Sequence, residues 1–237
     1  MKDLSLLEML KSGVHFGHQQ RYWHPKMKPY IYTTRGGLCI INLENTAEML
    51  IRACAFVTEI AASGGKILFV STKRQAQPII KAAAQKTGMP FIVERWIGGM
   101  LTNFEQISKL VRRLKDLRQK KQSGELQKYT KKEQLDFDEE IGDLEVLVGG
   151  IESMDRLPQA VFIVDMKKDK TALREAKKKS LPIIAMADTN VNPEQATYPI
   201  PANDDATHSI EYIVNRLTEA ILDGQANPTK KAEVKKT

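Results

Sequence analysis

Short apolar runs alternate with longer amphipathic segments along most of the chain. Residues 66–70, 90–93, 160–164 and 182–186 lack polar alternation and read as strands buried on both faces. Segments at roughly 45–62, 73–87, 170–179 and 205–222 carry helical periodicity. Such strand–helix alternation predicts an α/β fold built on a doubly wound parallel sheet. Capping-box pairs mark several expected helix starts: Ser5 with Glu8, Asn45 with Glu48, and Thr72 with Gln75.

The connection from 93 to 160 is too long for one crossover, and two further helices are expected in it. The first opens at Thr102 with Glu105. Its apolar residues Ile107, Leu110, Leu114 and Leu117 are spaced 3, 4 and 3. The second opens at Thr130 with Glu133, and Phe137, Ile141, Leu144, Val148 and Ile151 are spaced 4, 3, 4 and 3. Heptad spacing on both, with the polar turn Gln122-Ser123-Gly124 between them, predicts an antiparallel coiled-coil hairpin. The expected organisation is a sheet domain of 1–101 and 152–224 with the hairpin 102–151 inserted. Charge supports the pairing. Residues 105–121 hold seven Lys/Arg against Glu105 and Asp116, whereas 125–145 hold eight acids against Lys128, Lys131 and Lys132. The alternative is two amphipathic helices packed on the main core. Residues 225–237 contain Pro228, four lysines and no apolar cluster, and are expected to be a disordered basic tail.

Composition narrows the class. The 237 residues are 42% hydrophobic and 27% charged, as in ordinary globular proteins, with a net charge of +7. That excess favours polyanions without naming one. Cys39 and Cys54 lie in apolar surroundings and read as buried thiols in a reducing compartment. Asp3 and Glu8 interrupt the first apolar stretch, so no secretory signal is expected there. No apolar run approaches the roughly 20 residues of a membrane span. A soluble, cytoplasmic protein is expected.

The basic charge is localised. No acid occurs between Glu8 and Glu44, where Lys11, Arg21, Lys26, Lys28 and Arg35 interleave with Phe16, Tyr22, Trp23, Tyr30 and Tyr32. Cations neutralise phosphates and aromatic rings stack on bases, so this strap is a candidate RNA-binding segment. Pro25 and Pro29 are expected to keep it extended. The alternative is a strap whose rings pack on the core. A second acid-free stretch, 60–93, contains Ser71-Thr72-Lys73-Arg74 between a strand and a helix, a placement that suits a phosphate. Arg95-Trp96-Ile97-Gly98-Gly99 follows the next strand at the same sheet edge. The candidate RNA-binding residues are Arg21, Tyr22, Trp23, Lys26, Lys28, Arg35, Lys73, Arg74, Arg95 and Trp96, with Arg112 and Arg113 on the basic hairpin helix.

Catalytic signatures are sparse. Gly64-Gly65-Lys66 has the wrong spacing for a phosphate loop, and no Gly-x-Ser-x-Gly elbow occurs. Asp165 and Asp188 follow two strands at the carboxyl edge, where α/β enzymes keep carboxylates. With the 71–74 turn they leave open a phosphate- or nucleotide-processing enzyme. Turn-forming aspartates are the plainer reading. His18, Asp188, Asp204 and Asp205 could converge there as a mixed nitrogen and oxygen site, for which zinc is the expected metal. For Asp204 and Asp205, caps of the last helix are the plainer reading.

Three motifs point to one family. Gly13-Val14-His15-Phe16-Gly17-His18, followed by Trp23-x-Pro25-Lys26-Met27-Lys28-Pro29-Tyr30-Ile31, resembles the opening of the S-two family of bacterial small-subunit ribosomal proteins. Arg95-Trp96-Ile97-Gly98-Gly99-Met100-Leu101-Thr102-Asn103-Phe104 is similar to its central signature. Asp188-Thr189-Asn190, Asn192-Pro193 and Tyr198-Pro199-Ile200-Pro201-x-Asn203-Asp204-Asp205-Ala206 are similar to its third. The departures are Val191, Thr197 and Ala202, where cysteine, aspartate and glycine are common. The resemblance implies a flavodoxin-like domain with a protruding coiled coil, on the solvent side of the small subunit between head and body. It implies contact with small-subunit rRNA and neighbouring proteins, and a role in recruiting the mRNA-binding ribosomal protein S-one. No catalysis, small-molecule substrate or membrane is implied.

Overall fold

The computed structural model describes residues 4–228. Helix α1 (Leu6–Lys11) leads into a small antiparallel sheet of β1 (Phe16–Gln19), β2 (Ile31–Arg35) and β3 (Leu38–Ile41), in the order β1-β3-β2. Helix α2 (Leu43–Ala62) follows. Five parallel strands form the main sheet: β4 (Ile67–Val70), β5 (Phe91–Ile92), β6 (Ala160–Ile163), β7 (Ile183–Ala187) and β8 (Tyr198–Pro201). Their order is β5-β4-β6-β7-β8, and every pairing is parallel. Counted along the chain this is 2-1-3-4-5, the flavodoxin-like order, with its switch point between β4 and β6. The remaining helices are α3 (Gln77–Thr87), α4 (Phe104–Gln122), α5 (Lys131–Val148), α6 (Lys170–Lys178) and α7 (Thr207–Ala226).

Side-chain alternation along the strands divides the core in two. Ile67, Phe69, Ala160, Phe162, Ile184 and Met186 pack against α1, α2, α3 and α7. Leu68, Val70, Val161, Ile163, Ile183 and Ala185 pack on the other face with α4, α5, α6 and the strap residue Met27. The runs read as strands are apolar throughout because both faces are covered. Phe69 meets Phe162 edge-on at 5.5 Å between centroids, and burying each ring stabilises the fold by about 2–3 kcal/mol.

Helices α4 and α5 form a hairpin. Lys121, near the turn, pairs with Asp138, and Lys115, further back, reaches the Glu152 carbonyl, so the helices run antiparallel. Gly124 takes φ +75° in the turn, a conformation glycine adopts without steric cost. Ile107, Val111, Leu114 and Leu117 pack toward Ile141, Leu144 and Val148. This apolar seam is continuous with the core on that face of the sheet.

Local signals were overridden in several places. The Thr130–Glu133 capping box forms at α5. The α2 cap is Asn42 rather than Asn45, and α3 starts at Gln77 without a side-chain cap. The cap position of α4 is Asn103, not Thr102. The strap is not extended: Pro25–Tyr30 is a 3-10 turn that drives Met27 into the core, since proline's fixed φ suits the first turn of a helix. Helix α7 continues through Ala226, past the expected start of a tail at 225. Residues 229–237 of that tail lie outside the described residues. No helix of the described residues is long and apolar enough to cross a membrane.

Candidate functional site

Four parallel strands end at one edge, and the residues that follow them meet there. Lys73 follows β4, Asp165 follows β6, Asp188 follows β7, and Asp204 and Asp205 follow β8. The Lys73 ammonium sits 2.8 Å from Asp204, 2.7 Å from Asp205 and 3.3 Å from Asp165. Burial alone would discourage its charge; the three carboxylates outweigh that and raise its pKa. Asp204 is itself buried, and burial with the neighbouring Asp188 and Asp165 carboxylates pushes its carboxyl up, while Lys73 pulls it back. The switch-point crevice, where open α/β sheets usually take ligands, is thus filled by the protein's own cation. Lys73, expected to face RNA, points inward.

The strap is fastened over this edge. The His18 and His24 amides donate to the side chain and carbonyl of Thr189, at 2.8 and 2.7 Å. A Cβ on Gly17 would come within 2.5 Å of Thr189 Cγ2, so only glycine allows the strap to lie this close. His18 Nδ1 lies 3.0 Å from Asp188, and its Nε2 lies 3.4 Å from Asp205 and 3.0 Å from Asn190 Nδ2. The bond to Asp188 raises the imidazole pKa; burial opposes it and the surrounding carboxylates add to it. One donor atom from each of His18, Asp188 and Asp205 falls within 4.8 Å of the others, a spacing compatible with a metal ion. Asp204, the fourth expected ligand, lies outside this trio and faces Lys73, whereas Asp205 meets Lys73 with one oxygen and His18 with the other.

The other candidates divide into exposed and committed side chains. Arg21, Tyr22, Lys28 and Arg35 are exposed on the strap, and the Arg21 guanidinium lies 4.6 Å over the Tyr22 ring. Lys26 is exposed but pairs with Glu194 at 2.8 Å. Trp23 is half-buried. Pro25, Lys28, Pro29, Tyr30 and Pro193 line a groove of about 690 Å³ beside that ion pair. Arg74 and Arg95 are exposed at the sheet edge. On α4, Arg112 faces solvent, whereas Arg113 makes two 2.9 Å bonds to Glu140. The structure therefore gathers the strap and the sheet edge into one region, with Arg113 spent inside the hairpin.

One organising residue escaped sequence reasoning. Glu175, buried on α6, accepts from the Trp96 indole N–H at 3.1 Å and the Gly99 amide at 2.8 Å. Its second oxygen accepts from the Leu101 and Thr102 amides and the Thr102 hydroxyl, at 3.0, 3.1 and 3.1 Å. Burial pushes its carboxyl up, yet these donors hold it below the ordinary range. Trp96 is thereby fixed half-buried at the root of the hairpin. The missed signal was an acid on the apolar side of an amphipathic helix, beside Ala172 and Ala176.

A family model described as Ribosomal protein S2 matches residues 9–224 of this chain. The chain belongs to the ribosomal protein S2 family. It is 44% identical over 237 residues to the "Small ribosomal subunit protein uS2" of Dehalococcoides mccartyi, covering 100% of this chain and 96% of that one. A protein of the same name from Coprothermobacter proteolyticus is 45% identical over 225 residues, 95% of this chain and 84% of that one. Members of this family are structural ribosomal proteins, so the chain is not an enzyme. At the edge, Asp165 and Asp188 are bonded to Lys73, His18 and backbone amides.

Proposed function

We propose that the chain is a structural constituent of the small ribosomal subunit in the cytoplasm, where it binds small-subunit rRNA through the strap and the adjoining sheet edge. The observation that carries this reading is the strap's outer surface. Arg21, Lys28, Arg35, Tyr22 and Tyr32 are all exposed, and no acid lies between Glu8 and Glu44 to compensate them. Cations beside exposed rings offer phosphate neutralisation and base stacking together. Replacing Arg21, Lys28 and Arg35 by alanine removes up to three phosphate contacts. The log–log salt slope of binding to small-subunit rRNA should then fall by about two to three. A folded variant with an unchanged slope would show that the strap only packs on the sheet.

Two finer features belong to this reading. A zinc ion held by His18, Asp188 and Asp205 would pin the strap to β7 and the β8 turn; the mixed donor set and its spacing support it. Metal analysis of parent and His18→Ala protein tests this, and equal metal content in both would exclude His18 as a ligand. The family resemblance further supports a position between head and body, contact with neighbouring proteins, and docking of S-one near Trp96 and Gly98. The exposed acids Asp136, Glu139 and Asp143 of α5 suit a protein neighbour better than phosphate. Full S-one occupancy on subunits lacking this chain would refute the docking role.

A further inference from the structure

Helix α6 carries a feature that the strap reading does not absorb. Residues 167–179 hold seven cations and two acids, Asp169 and Glu175. Both acids point inward. Asp169 accepts from the Thr72 hydroxyl and amide at 2.7 and 3.2 Å, and Glu175 is enclosed by the 96–102 loop. The outer surface is therefore purely cationic, with Lys167, Lys170, Arg174, Lys177 and Lys178 all exposed. Among the described residues, none of these five has a carboxylate within ion-pair distance.

Solvation alone does not account for this arrangement. Elsewhere the chain places an acid one turn from an exposed cation, as in Glu48–Arg52 and Asp116–Lys120. On α6 the positions one turn from Arg174 are Lys170 and Lys178, so like charges repel along the stripe. Lys170 also stands at the helix N-terminus, the end that disfavours cations, whereas Lys177 and Lys178 stand in the last turn, which favours them. A stripe whose cations repel one another at this spacing gains from a polyanion laid along it.

The stripe adjoins the strap across Glu194, which is paired with Lys26. Lys177 lines a groove of about 440 Å³ that also contains Glu194. Glu194 in turn lines the groove of Lys26 and Lys28. At its other end the Lys168 ammonium donates to the Thr72 carbonyl, beside exposed Arg74. Nine helical residues span about 13 Å, the rise of several successive phosphates on one strand.

We propose that the outer face of α6 is a second rRNA-binding surface, which takes the phosphate backbone of a strand leaving the strap. This rests on the reading that the chain binds rRNA. The test uses the full chain with Lys170, Arg174, Lys177 and Lys178 all changed to glutamine, which preserves helix propensity. Binding to a small-subunit rRNA transcript is measured from about 0.05 to 0.2 M salt. The expected result is a log–log slope lower than the parent's by about three, with unchanged circular dichroism. Changing the same lysines to arginine should keep the parent slope. If the glutamine variant keeps the parent slope while the strap variant loses it, α6 does not bind RNA and the rRNA reading stands. An unchanged slope with reduced incorporation into subunits would also overturn the proposal, in favour of an acidic protein neighbour. If the parent itself shows no salt-dependent binding, both readings fail.

Discussion

Arg216 on α7 bonds Glu8 at 3.0 Å and Glu219 at 3.1 Å, and Arg52 on α2 bonds Glu48 one turn earlier. On the opposite face of the same sheet, Lys170 and Arg174 of α6 have no such partner among the described residues. The two helical layers bury apolar side chains in the same way, from alternating positions of the same strands. Helix α6 differs from α2 and α7 in where its acids point. In the α2 and α7 layer acids are on the surface, pairing with cations. In α6 they are turned inward as hydrogen-bond acceptors. Apolar patterning therefore builds both layers, and the orientation of a few carboxylates decides that α6, unlike α2 and α7, presents an uncompensated cationic face.

The largest effect should come from removing an inward acid. Glu175→Ala leaves the buried donors of Trp96, Gly99, Leu101 and Thr102 without their acceptor and should cost about 3–4 kcal/mol in urea unfolding. A cost below about 1 kcal/mol would mean that the 96–102 loop does not depend on α6. The acid response sharpens the point. Because the donors depress its folded pKa, Glu175 contributes stability above the ordinary glutamate value of about 4.3. That contribution is lost as pH falls through the folded pKa. The gap between parent and Glu175→Gln should therefore narrow below about pH 4.

Exposed cations should give smaller effects of opposite sign on the two faces. Arg174→Gln relieves repulsion from Lys170, Lys177 and Lys178 and should stabilise the free protein by up to about 1 kcal/mol at low salt, with the gain fading as salt screens the charges. Arg52→Gln breaks an exposed pair and should destabilise by no more than about 0.5 kcal/mol. Equal destabilisation by both would erase the distinction between the faces.

The same acids explain what the sequence did and did not reveal. Strands β4, β6 and β7 were legible because both their faces are buried, and the heptad apolar spacing located α4 and α5. Strand β8 was passed over because Tyr198-Pro199-Ile200-Pro201 has two prolines, which an edge strand tolerates. Thr72 and Thr102 were read as helix caps, yet their hydroxyls donate to Asp169, the residue before α6, and to Glu175 within it. Two tertiary bonds thus outcompeted two local signals. At the sheet edge, the expected convergence of His18 with Asp188 and Asp205 is found. The inward turn of Lys73 was not expected, because nothing local to the 71–74 segment announces three carboxylates arriving from β6 and β8. No acid-free stretch marks α6, since its acids sit among its cations in sequence and opposite them in space.

Lysine reactivity tests the asymmetry most directly. Acetylation of each lysine can be compared by mass spectrometry between the free chain and the chain assembled into small subunits. The account predicts that Lys28, Lys170, Lys177 and Lys178 lose reactivity on assembly, while Lys11 and Lys86 of the opposite layer keep theirs. Protection of Lys11 and Lys86, with α6 still fully reactive, would contradict it.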